Sequence, residues 1–391
     1  MFLRASTTIP FSGLRRLARG ASIRPRTGQA GRLFRRAAGL GLAVLMAALS
    51  GCSFKTQQSF MDAHGLVSRL QLSLFMTTVW VSLFIFITVG GAMAVIVWVY
   101  REKPGDEKKP MPSQGHGNPL VEISLITASI ALLVIIAVPT LKDIFLTDDM
   151  PTDQPYWAPS LLGNWYSKAG GDVPEGVKNE PLTIIVHGMQ WWWSFEYPQF
   201  GFTTANELYI PAGRVVKFEL RSDNVIHSFW LPKLAGKVDL IPGRANDMWM
   251  MADDGKGMVD GYDHGTVSAA VYENGLYYGQ CAQYCGESHA FMLFRARVVD
   301  DKDFVAWVNH SLTPAKAPTA DGEWKQFVAQ VVVPVTEGKT PDPALYSTDA
   351  EKGAALFMGP AKCVQCHTID GSRAHGTAGP TLTHVASRPA I

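Results

Sequence analysis

Twelve residues, CAQYCGESHAFM from Cys281 to Met292, bring together two cysteines, a histidine and a methionine in a chain with only five cysteines. In an exported protein the default for a cysteine pair is a disulfide, but a disulfide accounts for neither His289 nor Met292. Structural zinc accepts thiolate and imidazole, yet a thioether is a poor zinc ligand. Thiolate and thioether are soft donors that favour copper, and imidazole also suits it. Two thiolates four residues apart, Cys281 and Cys285, can bridge two copper ions with one histidine terminal on each. The electron is then shared between the metals and little rearranges on redox change, which suits fast one-electron transfer. One loop cannot close all sides of such a site, so a second histidine must come from elsewhere in the chain.

A second constellation is CVQCH, Cys363 to His367. C-x-x-C-H is the attachment signature of c-type haem: the two thiols form thioethers and the histidine binds iron. The alternative is a redox or zinc pair, which the adjacent His367 and an exported location disfavour. Upstream, EKGAALFMGPAKC resembles the first helix of a small cytochrome c domain, and AGPTLTHVASRPAI resembles the stretch that follows the haem box. No methionine follows the box, and neither His375 nor His384 is singled out as sixth ligand by position. The expectation is a fragment or a truncated gene, and otherwise a haem with an open iron position.

These residues need an export route. Residues 1–36 carry nine arginines and no acid, followed by the apolar run AAGLGLAVLMAALSG and then Cys52. Small residues before a cysteine, after a basic region and an apolar run, resemble a bacterial lipoprotein cleavage box. Residues 1–51 thus read as a lipoprotein-type signal peptide with Cys52 as the lipidated residue. Losing nine arginines takes the net charge from +1 to −8. Two further segments, Leu72–Tyr100 and about Leu120–Leu141, reach the roughly 20 apolar residues that span a bilayer. They define a transmembrane hairpin over 66–145. The loop between them holds Arg101, Lys103, Lys108 and Lys109, and the positive-inside tendency puts it in the cytoplasm. Everything after the hairpin is then periplasmic, at a bacterial inner membrane.

Residues 146–180 read as a connecting segment rich in Pro, Gly and Asp. Over 181–300, the runs LTIIVHG, WWSFEY, VVKFELRS, HGTVSAAVY and MLFRARVV are short and β-rich, separated by turn residues. That texture predicts an all-β sandwich or barrel. DKDFVAWVNHS predicts a short helix, opening a helix-and-linker segment over 301–341, and 342–391 forms the haem segment.

At this point a family comes into view. C-x3-C-x3-H-x2-M, preceded by QWWWSFEYP, DNVIHSFWLPKL and IPGR, closely resembles subunit II of haem–copper cytochrome c oxidases, of the caa type with a fused cytochrome c domain. The resemblance implies a multidomain chain: a two-helix transmembrane hairpin, an all-β cupredoxin-like Greek-key barrel with a binuclear copper centre, and a partial all-α cytochrome c domain. Carried over by position, the copper ligands are His227, Cys281, Cys285, His289 and Met292, with the backbone carbonyl of Gln283. Many members have Glu at the position of Gln283, where the carboxylate also reaches magnesium. An amide oxygen is a weaker magnesium ligand, so magnesium is in doubt here while copper is not.

Trp191 maps to the surface point where electrons enter; its alternative is an interface or core aromatic. Glu122 maps to the mouth of a proton path in subunit I; its alternative is a helix-end carboxylate. The implied function is the electron-entry subunit of a proton-pumping oxidase. Its donor would be the fused haem c or an external cytochrome c, and its partners subunit I, the other oxidase subunits and the membrane, with no nucleic acid. Two alternatives stay open. A nitric-oxide reductase can use a similar small subunit, and a quinol-oxidase-like subunit would lack the copper ligands.

Overall fold

The protein is described by a computed structural model at residue 39 and at 56–102, 115, 117–148, 182–253, 258–259, 262–263, 275–316 and 324–388. From residue 54 onward the chain forms one compact unit. The signal segment with Cys52, most of the interhelical loop, most of the connecting segment and the run HGTVSAAVY lie outside the described residues.

Two long helices open the unit. Helix α1 (Leu66–Tyr100) starts six residues before the predicted apolar run. Its first turn is anchored in the β domain rather than in the apolar stretch. His64 N–H donates to the Lys233 carbonyl (2.7 Å), and Ser68 Oγ donates to the same carbonyl (2.7 Å). Asp253 N–H donates to the His64 carbonyl (3.0 Å). Arg69 pairs with Asp253, and Lys233 Nζ lies 2.7 Å from Asp62 Oδ2. His64 is buried between Asp62 (Nε2–Oδ1 3.1 Å) and the Tyr277 hydroxyl (3.2 Å). Burial holds its imidazole below the ordinary histidine range.

Helix α2 (Pro119–Asp148) begins with Asn118 capping the Leu120 amide (3.1 Å) and with proline in its first position. It ends three residues beyond the predicted hairpin. Both helices expose large apolar side chains along most of their length, Trp80, Phe86 and Trp98 on α1 and Leu120 and Leu133 on α2 among them. Both are long and apolar enough to cross a membrane. A surface of this kind is unfavourable in water and is consistent with a membrane-anchored protein bearing a periplasmic domain.

The β domain consists of β1 (Thr183–Met189), β2 (Trp192–Tyr197), β3 (Phe202–Ala205), β4 (Glu207–Pro211), β5 (Val215–Ser222), β6 (His227–Trp230), β7 (Lys237–Leu240) and β8 (Asn246–Met251). The short pair β9 (Met258–Val259) and β10 (Tyr262–Asp263) follows, then β11 (Leu276–Cys281) and β12 (Leu293–Val299). One sheet has the order β3-β2-β1-β5-β8 and the other β4-β12-β11-β6-β7. Pairs β1–β5 and β4–β12 are parallel, and the other pairs within these two sheets are antiparallel. Period-2 alternation turns Ile184 and Val186 of β1 and Phe294, Ala296 and Val298 of β12 inward.

The two inner faces meet in an aromatic core. Phe229 stacks on Phe294 (centroids 4.8 Å), and Trp193 meets both edge-on at 5.6 and 5.4 Å. Phe218 and Phe195 reach across from the first sheet. This two-sheet, cupredoxin-like sandwich is the predicted all-β architecture.

Helix α3 (Asp301–Ser311) covers the end of the sandwich over the predicted residues. The Asp300 carboxylate accepts from the Asp303 amide (2.8 Å), and Phe304, Val305 and Val308 are buried. The C-terminal segment is smaller. Helix α4 (Trp324–Phe327) runs through a π-helical turn (Val328–Val332) into α5 (Val333–Thr336). Helix α6 (Asp349–Met358) is opened by a Thr348–Glu351 capping box. Phe327, Val331 and Val332 share one small core with Ala355, Met358 and Ala374. Residues 324–336, read from sequence within the helix-and-linker segment, therefore pack as part of the haem-box unit.

Candidate metal centre

Strand β11 delivers Cys281 to the core side of the sheet, since burial alternates through Tyr277, Gly279 and Cys281. Cys281 N–H donates to the Met292 carbonyl (3.0 Å). That bond closes the loop on itself and leads directly into β12. Strand β6 opens on His227 and pairs with β11 through Phe229 and Cys281. Ligand candidates 54 residues apart in sequence thus become neighbours through one strand pairing.

The donor atoms fall into two sets joined by the thiols. Cys281 Sγ lies 3.9 Å from His227 Nδ1 and 3.1 Å from the Gln283 carbonyl. Cys285 Sγ lies 3.5 Å from His289 Nδ1 and 3.7 Å from Met292 Sδ. The two sulfurs are 3.8 Å apart and both cysteines are free. A disulfide requires about 2.0 Å. Donors around one tetrahedral ion with bonds of about 2.0–2.3 Å sit ~3.5 Å from each other, close to these spacings. His227, Cys281 and Cys285 form, among the described residues, the group of metal-binding type held within 4.8 Å of one another. All five predicted side-chain ligands and the Gln283 carbonyl are brought together.

Protonation follows from burial. Burial, with the Cys281 sulfur beside it, pushes the Cys285 thiol up to about 12. Without metal it is a neutral thiol at pH 7, so a metal must displace its proton. Burial, and then the neighbouring His289, push His227 down to about 4. Its imidazole is therefore neutral and able to ligate.

Four supporting residues were not singled out from sequence. The Asn224 side-chain oxygen accepts from His227 Nε2 (3.0 Å), which leaves Nδ1 bare towards Cys281. Orientation of a ligating imidazole through its other nitrogen is how metal sites fix the tautomer. Gly188 lies against the same ring: a Cβ there would sit 2.8 Å from His227 Cδ2. Trp193 donates its indole N–H to the Met292 carbonyl (3.3 Å). Gly286 has φ +118°, and a Cβ would meet Trp191 at 3.0 Å. The motif DNVIHSF contained Asn224, but only the turn geometry assigns it a role.

Trp191 is half-buried. Its indole N–H donates to the Cys285 carbonyl (3.1 Å), an acceptor shared with Gln190 Nε2 (2.9 Å). Glu122 is exposed in the first turn of α2, about 40 Å along that helix from its far end at 1.5 Å per residue. It takes no part in the copper-loop cluster.

In the haem box, Cys363 is partly exposed and Cys366 exposed. His367 Nδ1 donates to the Pro380 carbonyl (2.8 Å). Gly379 N–H donates to the Cys366 carbonyl (2.7 Å), and a Cβ on Gly379 would lie 2.7 Å from the His367 ring. The imidazole is thus held through Nδ1, the way a metal-ligating histidine is fixed by its other nitrogen. Met358 is buried in the small core. His384 Nε2 donates to the Thr313 carbonyl (2.6 Å).

Comparison with known proteins places the chain in a family. The family "Cytochrome C oxidase subunit II, periplasmic domain" matches residues 202–299, and "Cytochrome c" matches 350–391. Cytochrome c oxidase subunit 2 of Alkalihalophilus pseudofirmus is 31% identical over 353 residues, 90% of this chain and 82% of the relative. Quinol oxidase subunit 2 of Bacillus subtilis is 26% identical over 283 residues, 72% of this chain and 74% of the relative. The crystal structure of the periplasmic domain of cytochrome oxidase subunit II of Bradyrhizobium japonicum matches at 33% identity with a TM-score of 0.28, covering 34% of this chain and 96% of that one. The fold is that of two apolar helices, a cupredoxin-like β domain and a C-terminal cytochrome c region. The chain belongs to the cytochrome c oxidase subunit II family.

Proposed function

We propose that this chain is the electron-entry subunit of a proton-pumping cytochrome c oxidase, holding two copper ions in one centre and one covalent haem c. The observation that carries the reading is the split donor set: two buried thiols 3.8 Å apart, each with its own imidazole. Soft donors of this kind favour copper, and shared thiolates suit a pair. When bound, the pair supplies a one-electron store. His227, Cys281, Cys285, His289 and Met292, with the Gln283 carbonyl, would hold it. The aromatic core of Trp193, Phe229 and Phe294 packs behind the strand that carries Cys281. Cys363 and Cys366 would tether haem c, and His367 would ligate its iron.

Trp191 is the proposed entry point for an external donor; its indole bond to the Cys285 carbonyl supports that role. Glu122 is proposed at a proton-path mouth in the partner subunit I, and Cys52 as a lipid anchor after removal of 1–51. With Gln283 neutral, a magnesium ion at this position is not expected to bind tightly. The copper and haem parts are placed in the periplasm of a bacterial inner membrane. The intact copper donors favour this reading over a copper-free quinol-oxidase subunit.

The test is metal analysis and electron paramagnetic resonance of the full chain loaded with copper. Two coppers with one unpaired electron shared between them are expected. One copper per chain, or a signal confined to one ion, overturns the binuclear reading.

A further inference from the structure

Among the described residues, the C-terminal segment is fastened to the preceding domain by Arg388, by His384 and by the bond from Ala315 N–H to the Asp370 carbonyl (3.1 Å). Arg388 is the central one. Its guanidinium donates from Nη1 to the Ala205 carbonyl at the end of β3 (3.1 Å) and from Nη2 to the Thr381 carbonyl (2.9 Å). Its Nε lies 3.8 Å from Glu207 Oε2, with side-chain exposures of 15% and 9% for the pair. The second fastening is His384, which donates to the Thr313 carbonyl and packs on the His310 ring (centroids 4.5 Å). Between these points the faces do not close. A cavity of about 530 Å³ separates them, bordered by Trp192 and Glu196 on one side and Thr377 and Thr381 on the other. Among the described residues, polar fastenings rather than a continuous apolar seam join the two parts, and the forked guanidinium of Arg388, suited to bridging several acceptors, makes the most of them.

Arg388 also joins two hydrogen-bond systems that run to the two sites. From the haem box, His367 Nδ1 donates to the Pro380 carbonyl, and the next residue, Thr381, offers its carbonyl to Arg388. On the other side, Ala205 is followed by Asn206, whose Oδ1 accepts from Trp193 N–H (2.8 Å). The Trp193 indole then donates to the carbonyl of Met292. Five hydrogen bonds and short covalent links thus connect the iron ligand His367 to the copper ligand Met292 without passing Trp191.

We infer that Arg388 is a positioning residue that clamps the haem-box unit onto the Ala205–Glu207 turn, giving the copper centre an internal electron donor with its own bonded route, separate from the surface entry at Trp191. The inference rests on the proposed function above. One electron leaves ferrous haem c, which becomes ferric, and one is gained by the copper pair. No covalent bond breaks and no proton need move.

The test uses the full chain in detergent without the other subunits, as parent, Arg388→Met, Arg388→Lys and Glu207→Gln. Charge-assisted hydrogen bonds are strong enough that losing them should weaken the clamp by about tenfold or more. In the cofactor-free chain this is read as faster amide hydrogen exchange at 379–385 and 205–207. In the loaded chain, flash reduction of haem c should show a concentration-independent transfer to copper that slows in Arg388→Met. Arg388→Lys, which keeps the charge but not the fork, should recover part of both readouts, and Glu207→Gln should fall between parent and Arg388→Met. A chain lacking haem c absorbance or its second copper would count against the proposed function itself. Normal cofactor content, with protection and internal rate in Arg388→Met equal to the parent, overturns the clamp and leaves that function standing. The same holds if Arg388→Lys is no better than Arg388→Met.

Discussion

The copper loop and the haem box are both built from two cysteines and a histidine, yet they are made in opposite ways. The proposed copper site gathers donors from residue 227 and from 281–292, buries His227, Cys281, Cys285 and Met292, and rests them on Trp193, Phe229 and Phe294. Its donors come together only through the pairing of β6 with β11 and the closure of the loop by the Cys281–Met292 bond. The haem box is contiguous, its Cys366 is exposed, and its nearby core has six buried residues. A site assembled by tertiary structure needs a whole domain to be correct. A site written in five consecutive residues needs only a local turn.

That contrast can be broken in order of effect. Cys285→Ser should abolish the shared-electron copper signal while the haem c absorbance of the same chain persists; loss of both would show the sites to be interdependent. Phe229→Ala removes the ring beneath the copper site and should cost about 3–5 kcal/mol of copper-domain stability, measured by denaturant unfolding of the metal-free chain. Asn224→Ala leaves the fold but frees His227 Nε2, and copper affinity should fall about 10–100-fold, read by competition with a chelator. On the haem side, Thr348→Ala removes the cap of α6 and should cost about 1 kcal/mol, seen as faster amide exchange in 349–358 with the copper signal unchanged.

The smallest expected effect concerns neither site. Burial lowers the pKa of His64, so between its folded value and the ordinary value near 6.5 the unfolded chain binds more protons. The anchorage of α1 should therefore weaken as pH falls below about 6.5. Charged Asp62, Lys233 and Asp253 and the Tyr277 hydroxyl face the ring or lie beside it. Amide exchange at 64–69 should rise with acid in the parent and be flat in His64→Gln.

Much of this was legible in the chain itself. The strands over LTIIVHG, WWSFEY, VVKFELRS and MLFRARVV and the helix DKDFVAWVNHS sit where their β-rich texture, turn residues and helical reading put them. The copper donors were readable because chemistry restricts which residue types can share an ion. Strands β3, β4, β6, β7 and β8 were not individually legible. They are four to six residues long, and β4 is buried on both faces, so no period-2 signal survives. Asn224, Gly188 and the bond from Trp193 to Met292 act through contacts between residues distant in sequence, or through a turn that pattern alone does not specify. The packing of 324–336 against α6 was hidden for a related reason: a π-helical turn and Pro334 disturb the helical period there.

The staple at the base of α1 has a consequence for aim. His64 and Ser68 are bonded to Lys233 and Leu234, and a side chain on Gly65 would collide with the Leu234 backbone. The joint therefore has almost no swivel. Any rotation of α1 about its long axis turns the sandwich by the same angle, as a key turns its bow. A protein that grips the exposed flank of α1 thereby sets the compass bearing of the copper loop, though it touches none of that loop's residues.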